Sequence, residues 1–135
     1  MIDTKLAPYG VLLLRVLTGV LFIVHGLTKL FVFTPAGTAA YFASLGLPGF
    51  VGYLVMAFEL IGGVALIVGV YARSLAALFG LEMLGAALLG HVQNGFSFAA
   101  PNGGGWEYPV FWAIVMFAIA LLGDGAKALV PSKKN

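Results

Sequence analysis

Long apolar windows alternate along this chain with short segments rich in proline, glycine and polar residues. A helix that crosses a bilayer core of about 30 Å needs roughly 20 residues. Four windows of about this length are present, over approximately residues 8–33, 50–71, 73–90 and 107–123, and the last is barely long enough. The pattern predicts an all-α membrane protein, a four-transmembrane-helix bundle forming a single membrane domain over residues 1–135.

The segments between the windows contain residues that end helices. Pro35 and Gly37 follow the first window, and Pro48 precedes the second. Aromatic and leucine side chains between these prolines predict a short interfacial helix that lies on the membrane surface. Residues 93–105 are rich in Asn, Gly, Ser and Pro, a composition that predicts an irregular loop outside the membrane.

The composition supports a location in the membrane. Apolar residues make up 61% of the 135 residues and charged residues only 9%, whereas soluble domains are about one quarter charged. A small soluble fold would have to expose much of this apolar material. The chain has no cysteine, which excludes thiolate catalysis, disulfide exchange and iron–sulfur ligation by this chain alone.

The basic residues predict the orientation in the membrane. Five of them collect on one side if both termini and the turn between the second and third windows lie there: Lys5, Arg73, Lys127, Lys133 and Lys134. By the positive-inside rule, this multi-pass protein has cytoplasmic N- and C-termini. The formal net charge of +2 therefore reflects topology, and no basic patch with interleaved aromatic residues indicates nucleic-acid binding.

Charged side chains also lie inside the apolar windows, where each costs about 2.5–3.5 kcal/mol on insertion scales. Arg15, His25 and Lys29 fall on one face of the first predicted helix. Arg15 and Glu59 fall at similar predicted depths, so they are expected to form a structural intramembrane ion pair. Glu82 is an additional candidate at this depth, and the sequence does not decide whether it faces the interior of the bundle.

A second polar group falls nearer the outer ends of the windows and predicts a ligand-binding pocket. Its members are His25, Lys29, His91, Glu107 and Tyr108. They combine two imidazoles, a cation and a carboxylate with nearby aromatic side chains. Because Glu82 and His91 lie on opposite faces of a straight helix, His91 is expected to reach the pocket only if the helix ends at Gly90. Nothing in the spacing requires a metal ion, and no catalytic residue is assigned.

Each of these residues also has a purely structural interpretation. The ion pair of Arg15 and Glu59 would fix the register of two helices. Lys29 would extend along the helix to the interface, and His91 would cap the third span. Glu107 would stabilise the start of the last helix through the helix dipole.

A series of short motifs follows in order along almost the whole chain. They are Leu14-Arg15, His25-Gly26-Leu27-Thr28-Lys29-Leu30-Phe31, Gly46-Leu47-Pro48, Glu59-Leu60-Ile61-Gly62-Gly63, Asn94-Gly95-Phe96, Glu107-Tyr108-Pro109 and Gly123-Asp124-Gly125. In this order they resemble the DoxX family of small bacterial membrane proteins, named for a subunit associated with thiosulfate:quinone oxidoreductase. The resemblance implies a four-helix bundle in the bacterial plasma (inner) membrane and a link to quinone, sulfur or oxidative-stress metabolism. Glu82 lies outside the family pattern, and the lack of cysteine argues against direct sulfur chemistry.

Three functions of different classes follow, and the sequence leaves open whether the protein is an enzyme. The first is a quinone-binding or redox-associated membrane subunit in which His25, Lys29 and His91 donate hydrogen bonds to the quinone. Quinone is the candidate cofactor, and no motif for a covalent cofactor is evident.

The alternatives need no quinone. A non-catalytic anchoring or assembly subunit would bind partner helices through its glycine-rich faces. A proton or small-solute pathway would follow the polar face of the first window in an oligomer. Predicted partners are accordingly the lipid bilayer, other membrane or redox subunits and further copies of this chain, and not nucleic acid.

Overall fold

The computed structural model describes residues 1–133, so Lys134 of the charge argument and Asn135 lie outside the described residues. The chain forms five α-helices: α1 (Ala7–Leu27), α2 (Pro35–Ser44), α3 (Phe50–Val68), α4 (Ala72–Ala86) and α5 (Glu107–Leu122). Two of them continue as wider π-helical turns, α1 through Thr28–Val32 and α4 through Ala87–His91, and a 3₁₀ turn follows at Val92–Asn94.

Three helical stretches are long and apolar enough to cross a membrane: Ala7–Val32, Phe50–Val68 and Ala72–Asn94. The fourth, α5, is apolar but has only 16 residues. The predicted all-helical membrane architecture is confirmed at this level. The short helix predicted between the first two windows is also present, as α2.

Glycines bring α1 and α3 into direct backbone contact. A Cβ atom on Gly19 would lie 2.7 Å from the carbonyl oxygen of Gly63, and one on Gly63 would lie 2.8 Å from that of Gly19. Further along, Gly26 lies against Leu60. Because position numbers rise in α1 as they fall in α3, the two helices are antiparallel, and small residues allow this close approach.

Stacked aromatic side chains join the other helices to this pair. The ring of Phe22 stacks on Phe79 of α4 at 3.8 Å and on Trp112 of α5 at 4.5 Å between centroids. Phe22 and Phe79 are fully buried, as are Met116 and Ile119 of α5. The core of the bundle is therefore built from α1, α3, α4 and α5.

The segment after α5, residues 123–132, folds back across one end of the bundle and is called the strap below. Its backbone pairs with the turn between α3 and α4: Tyr71 donates to the carbonyl of Val130 at 2.8 Å, and Leu129 donates to that of Val68 at 3.1 Å. Gly125 has φ +77°, and a Cβ atom there would lie 2.8 Å from Val11. Glycine thus permits both the left-handed backbone and the close approach to α1.

Arg15 holds the strap from inside the bundle. Its side chain is only 1% exposed, and its guanidinium donates to the backbone carbonyls of Asp124 and Ala126. The carboxylate of Asp124 in turn accepts hydrogen bonds from the backbone N–H of Arg73 at 3.0 Å and from both the N–H and the hydroxyl of Ser132 at 2.8 Å.

These contacts correct the predicted ion pair of Arg15 and Glu59, which the structure does not form. The guanidinium of Arg15 lies beside Gly69, where a Cβ atom would be 2.7 Å from it. Gly69 follows Glu59 by ten residues, which is about 15 Å along a helix that rises about 1.5 Å per residue. The two charges therefore lie at different depths, and Glu59 pairs with Lys29 instead.

Candidate functional site

A cavity of about 290 Å³ lies at the end of the bundle opposite the strap, and all five helices or their π-helical turns contribute to its wall. Most of the wall is apolar, with side chains such as Phe42, Leu45 and Val55. Polar side chains also converge on it: His25, Lys29, Tyr41, Glu59, Glu82, His91 and Tyr108. A concave apolar wall with a few converging polar groups is the usual form of a small-molecule site.

An ion pair between Lys29 and Glu59 forms part of the cavity wall. The Nζ atom of Lys29 lies 3.0 Å from Oε1 and 2.8 Å from Oε2 of Glu59, and the two side chains are 18% and 6% exposed. It is the one salt bridge within residues 1–133. Its charge-assisted hydrogen bonds fasten the π-helical turn after α1 to the middle of α3.

His91 lies in a fixed chain of hydrogen bonds. Its Nδ1 atom is 2.9 Å from the carbonyl oxygen of Gly104, and its Nε2 atom is 3.1 Å from the hydroxyl of Tyr108. Because a carbonyl oxygen only accepts, Nδ1 carries the proton, and Nε2 of the neutral ring accepts from Tyr108. A neutral His91 therefore has no N–H left for a ligand, and it acts on the cavity through Tyr108.

The two π-helical turns bring Lys29 and His91 to the cavity. In such turns the backbone bonds run from i to i+5, which changes the angular spacing of the side chains and is frequent at functional sites. Glu82 and His91 both line the cavity, although they are nine residues apart. The expected helix end at Gly90 is wrong, because the helical backbone continues through this residue as a π-helical turn.

His25 approaches the cavity from α1. Its ring packs edge-on against Trp112, with 5.0 Å between centroids. No hydrogen bond joins the His25 ring nitrogens to another group of the described chain, so both nitrogens are available to a ligand. His25, Lys29, His91 and Tyr108 thus come together around one cavity, as the sequence predicts.

Glu107 is not among the residues that line the cavity. It starts α5, and its carboxylate accepts a hydrogen bond at 3.0 Å from the backbone N–H of Phe98 in the preceding loop. The structure therefore supports the alternative interpretation, in which Glu107 stabilises the start of the helix and the loop before it.

Two acidic residues take its place in the wall, Glu59 and Glu82. The sequence predicts an ion pair of Glu59 with Arg15 and does not decide which way Glu82 faces. The glycine motifs held the missing signal, because antiparallel pairing of Gly19 with Gly63 places Glu59 beside the segment of α1 that leads to Lys29. Both oxygens of Glu82 are buried, and neither accepts a hydrogen bond from a described donor.

Helices that are long and apolar enough to cross a membrane surround a mostly apolar cavity on which a few polar side chains converge. These features define the class of this molecule, a small α-helical membrane protein with a candidate binding site. The family model described as DoxX matches residues 10–92. The chain belongs to the DoxX family.

Several named proteins are similar to this chain. "Putative oxidoreductase CatD" of Bacillus subtilis (strain 168) is 38% identical over 130 residues, which cover 93% of this chain and 91% of that protein. The inner membrane protein YqjF of Escherichia coli (strain K12) is 40% identical over 72 residues, 53% of this chain and 54% of YqjF. The inner membrane protein YphA of the same strain is 33% identical over 86 residues, 62% of this chain and 60% of YphA. No solved structure matches the chain.

Proposed function

We propose that this protein is a redox-associated membrane subunit that binds a quinone in the cavity. The observation that carries the proposal is the convergence of His25, Lys29 and the hydrogen-bonded pair of His91 and Tyr108 on one apolar wall. A quinone head is a flat apolar ring with two carbonyl oxygens, so it needs apolar walls and a few hydrogen-bond donors.

The donors differ in how they would contribute. Lys29 gives two of its hydrogens to Glu59 and keeps a third, and His25 has a ring N–H without a partner in the described chain. These two residues are therefore the proposed direct contacts to the carbonyl oxygens. His91 orients Tyr108 and is not itself a direct donor, which revises the role expected from the sequence.

One relative supports a redox role in general terms, since its name is "Putative oxidoreductase CatD". The sequence shows no flavin, haem or nicotinamide motif. Electrons would have to come from a partner protein or from the ligand itself. We therefore place this chain within a larger membrane redox system.

We also propose that all four long helices cross the bacterial inner membrane, with both termini cytoplasmic. The 16 residues of α5 extend about 24 Å, and its side chains Ala113, Met116 and Ile119 are buried in the core. A helix packed along its length against membrane-crossing neighbours is best accommodated at the same depth as they are.

Quinone binding can be tested on protein purified in lipid nanodiscs. Extraction and mass spectrometry should detect a co-purified quinone, and a short-chain quinone should raise the melting temperature. Removing a charged donor costs about 1.5–3 kcal/mol, so Lys29→Met should weaken binding by roughly 10- to 100-fold. Lys5→Met, at an exposed position distant from the cavity, is the matched control. The absence of bound quinone and of any thermal shift would refute the proposal.

A further inference from the structure

The cavity wall contains two carboxyl groups, Glu59 and Glu82, but only one ion pair. Lys29 donates to both oxygens of Glu59. No cationic nitrogen of the described chain lies within 4.0 Å of Glu82. Both oxygens of Glu82 are buried and receive no hydrogen bond from a described donor. One acidic side chain is thus compensated, and the other is not.

None of the other titratable groups in the wall supplies the missing positive charge. They come from each element packed around Glu82: His25 and Lys29 from α1 and its π-helical turn, Tyr41 from α2, Glu59 from α3, His91 from the π-helical turn after α4, and Tyr108 from α5. His91 forms hydrogen bonds with the carbonyl of Gly104 and the hydroxyl of Tyr108, and no ion pair within the described residues. His25 packs against Trp112 and forms no ion pair.

The strongest interaction of Glu82 with a charged group is therefore unfavourable, and the opposite effect of Lys29 is weaker. Glu59 is the other carboxyl group in the wall of the same cavity, and of the charged groups around Glu82 it exerts the strongest effect. Two buried carboxylates side by side repel, and an unpaired buried charge is expensive. A proton on one of them removes the repulsion and supplies the hydrogen bond that the pair lacks.

We propose that Glu59 and Glu82 share a single proton and that the resulting neutral cavity selects an uncharged ligand over an anion. Lys29 and the two carboxyl groups then amount to one ammonium, one carboxylate and one neutral acid, with no net charge among them. A small oxyanion would meet this carboxylate with no second cation to offset it. The assignment of a quinone as the uncharged ligand rests on the proposed function.

Infrared difference spectroscopy tests the shared proton directly. The wild-type protein at neutral pH should show the carbonyl stretch of a protonated carboxyl group, shifted by exchange into D₂O and lost in Glu82→Gln. Glu59→Gln should also lose it, because Glu82 would then be the single carboxylate beside Lys29. Glu107→Gln, which removes a carboxylate outside the cavity, should retain the band.

Two results would overturn the shared proton: a wild-type spectrum without this band, or a band that persists in Glu82→Gln. A band that persists in Glu59→Gln would show that Glu82 is neutral alone and would overturn the pairing. If Glu59→Gln does not fold, Glu82→Gln and Glu107→Gln still decide the presence of the proton.

Ligand selection is tested by binding measurements in nanodiscs. A short-chain quinone should bind wild type and Glu82→Gln with dissociation constants within about threefold, because the amide imitates the neutral acid. Sulfite and thiosulfate should not bind either protein measurably, and oxyanion binding to the wild type would overturn the selectivity. If the infrared band is present but quinone does not bind, the proposed function is refuted and the shared proton stands. If quinone binds but the band is absent, the shared proton is refuted and the proposed function stands.

Discussion

Lys29 occupies an apolar wall, and both oxygens of a single carboxylate hold its ammonium group there. A buried pair of this kind contributes little compared with a well-packed apolar pair, but breaking it leaves an uncompensated charge. The burial of Lys29 in its π-helical turn therefore depends on Glu59, and the burial of the Glu59 carboxylate depends on Lys29.

Removing only the cation should be more harmful than removing the whole pair. We expect Lys29→Met to lower the free energy of unfolding by about 3–5 kcal/mol. The double variant Lys29→Met with Glu59→Leu should recover most of that loss. Denaturant unfolding in detergent micelles measures both values. If Lys29→Met is as stable as the wild type, solvent already compensates the charge of Glu59 without the lysine.

Tyr108 makes a smaller and more local contribution. Tyr108→Phe keeps the ring against His91 but removes the hydroxyl that donates to Nε2. We expect a loss of about 1 kcal/mol in the free energy of unfolding and a changed ¹⁵N resonance of the His91 ring. Tyr53→Phe on the exposed side of α3 should change neither. An unchanged His91 resonance in Tyr108→Phe would contradict the assigned hydrogen bond.

At this scale, the sequence predicts that His25, Lys29, His91 and Tyr108 converge, because polar residues inside apolar windows have few places to go except an interior cavity. It misplaces Glu59, because depth counted from the start of a window does not include the register between two helices. That register depends on which glycines of α1 and α3 contact each other, and such tertiary contacts cannot be read from either helix alone.

The helices of this bundle approach each other where side chains are absent. Gly19 and Gly63 replace a side-chain layer with backbone contact, so α1 and α3 carry Lys29 and Glu59 at the spacing their ion pair needs. The π-helical turns then adjust the direction of the side chains at the cavity end.

A methyl group at this contact should force the two helices apart. We expect Gly63→Ala to destabilise the protein by about 1–3 kcal/mol, the usual cost of overpacking, and to weaken quinone binding as the ion pair shifts. Gly10→Ala is the matched control, because a Cβ atom there has nothing within 4 Å and alanine favours a helix. Thermal unfolding compares the two, and equal stability of both variants would argue against direct backbone contact.

The boundaries of α2 and the loop before α5 are predictable at the scale of elements, because proline, glycine and asparagine act locally. The π-helical turns are not predictable in this way. Residues 87–91 have the composition of an ordinary helix with one glycine. Their π-helical turn ends at His91, whose partners Gly104 and Tyr108 come later in the chain.

At the scale of the whole molecule, the proposed topology has a direct test by single cysteine substitutions, since the chain has no cysteine of its own. We expect Ser97→Cys to react with an impermeant maleimide on intact cells. Thr4→Cys and Lys133→Cys should react only after the membrane is opened, because the proposed four spans place these positions in the cytoplasm. If Lys133→Cys reacts in intact cells while Thr4→Cys does not, α5 does not cross.

The strap should make stability depend on pH. Burial raises the pKa of Asp124, but hydrogen bonds from Arg73 and Ser132 and the charge of Arg15 outweigh it, so the pKa lies below its ordinary value. Ionised Asp124 therefore stabilises the fold above the unfolded-state pKa of about 4. This stabilisation is lost as the pH falls through the lower folded-state pKa.

We expect Asp124→Asn to melt at a lower temperature than wild type at pH 7. The difference in melting temperature should vanish as the pH falls below the folded-state pKa of Asp124, where the wild-type carboxyl group is protonated. Melting temperatures of both proteins across this range measure it. Asp3→Asn, at an exposed position in the other terminal segment, should keep the pH dependence of the wild type. A difference that persists unchanged at low pH would contradict the role of the ionised carboxylate.

The contact between Arg15 and the strap has a consequence for biosynthesis. A ribosome makes Arg15 109 residues before the Asp124 carbonyl that receives its hydrogen bond. Until then, the first helix carries a cation without its final acceptors in or near the lipid. The first helix thus reaches its stable position only after the last part of the described chain has been made. A prematurely terminated product would expose an arginine without hydrogen-bond acceptors, a defect that membrane quality-control proteases could detect.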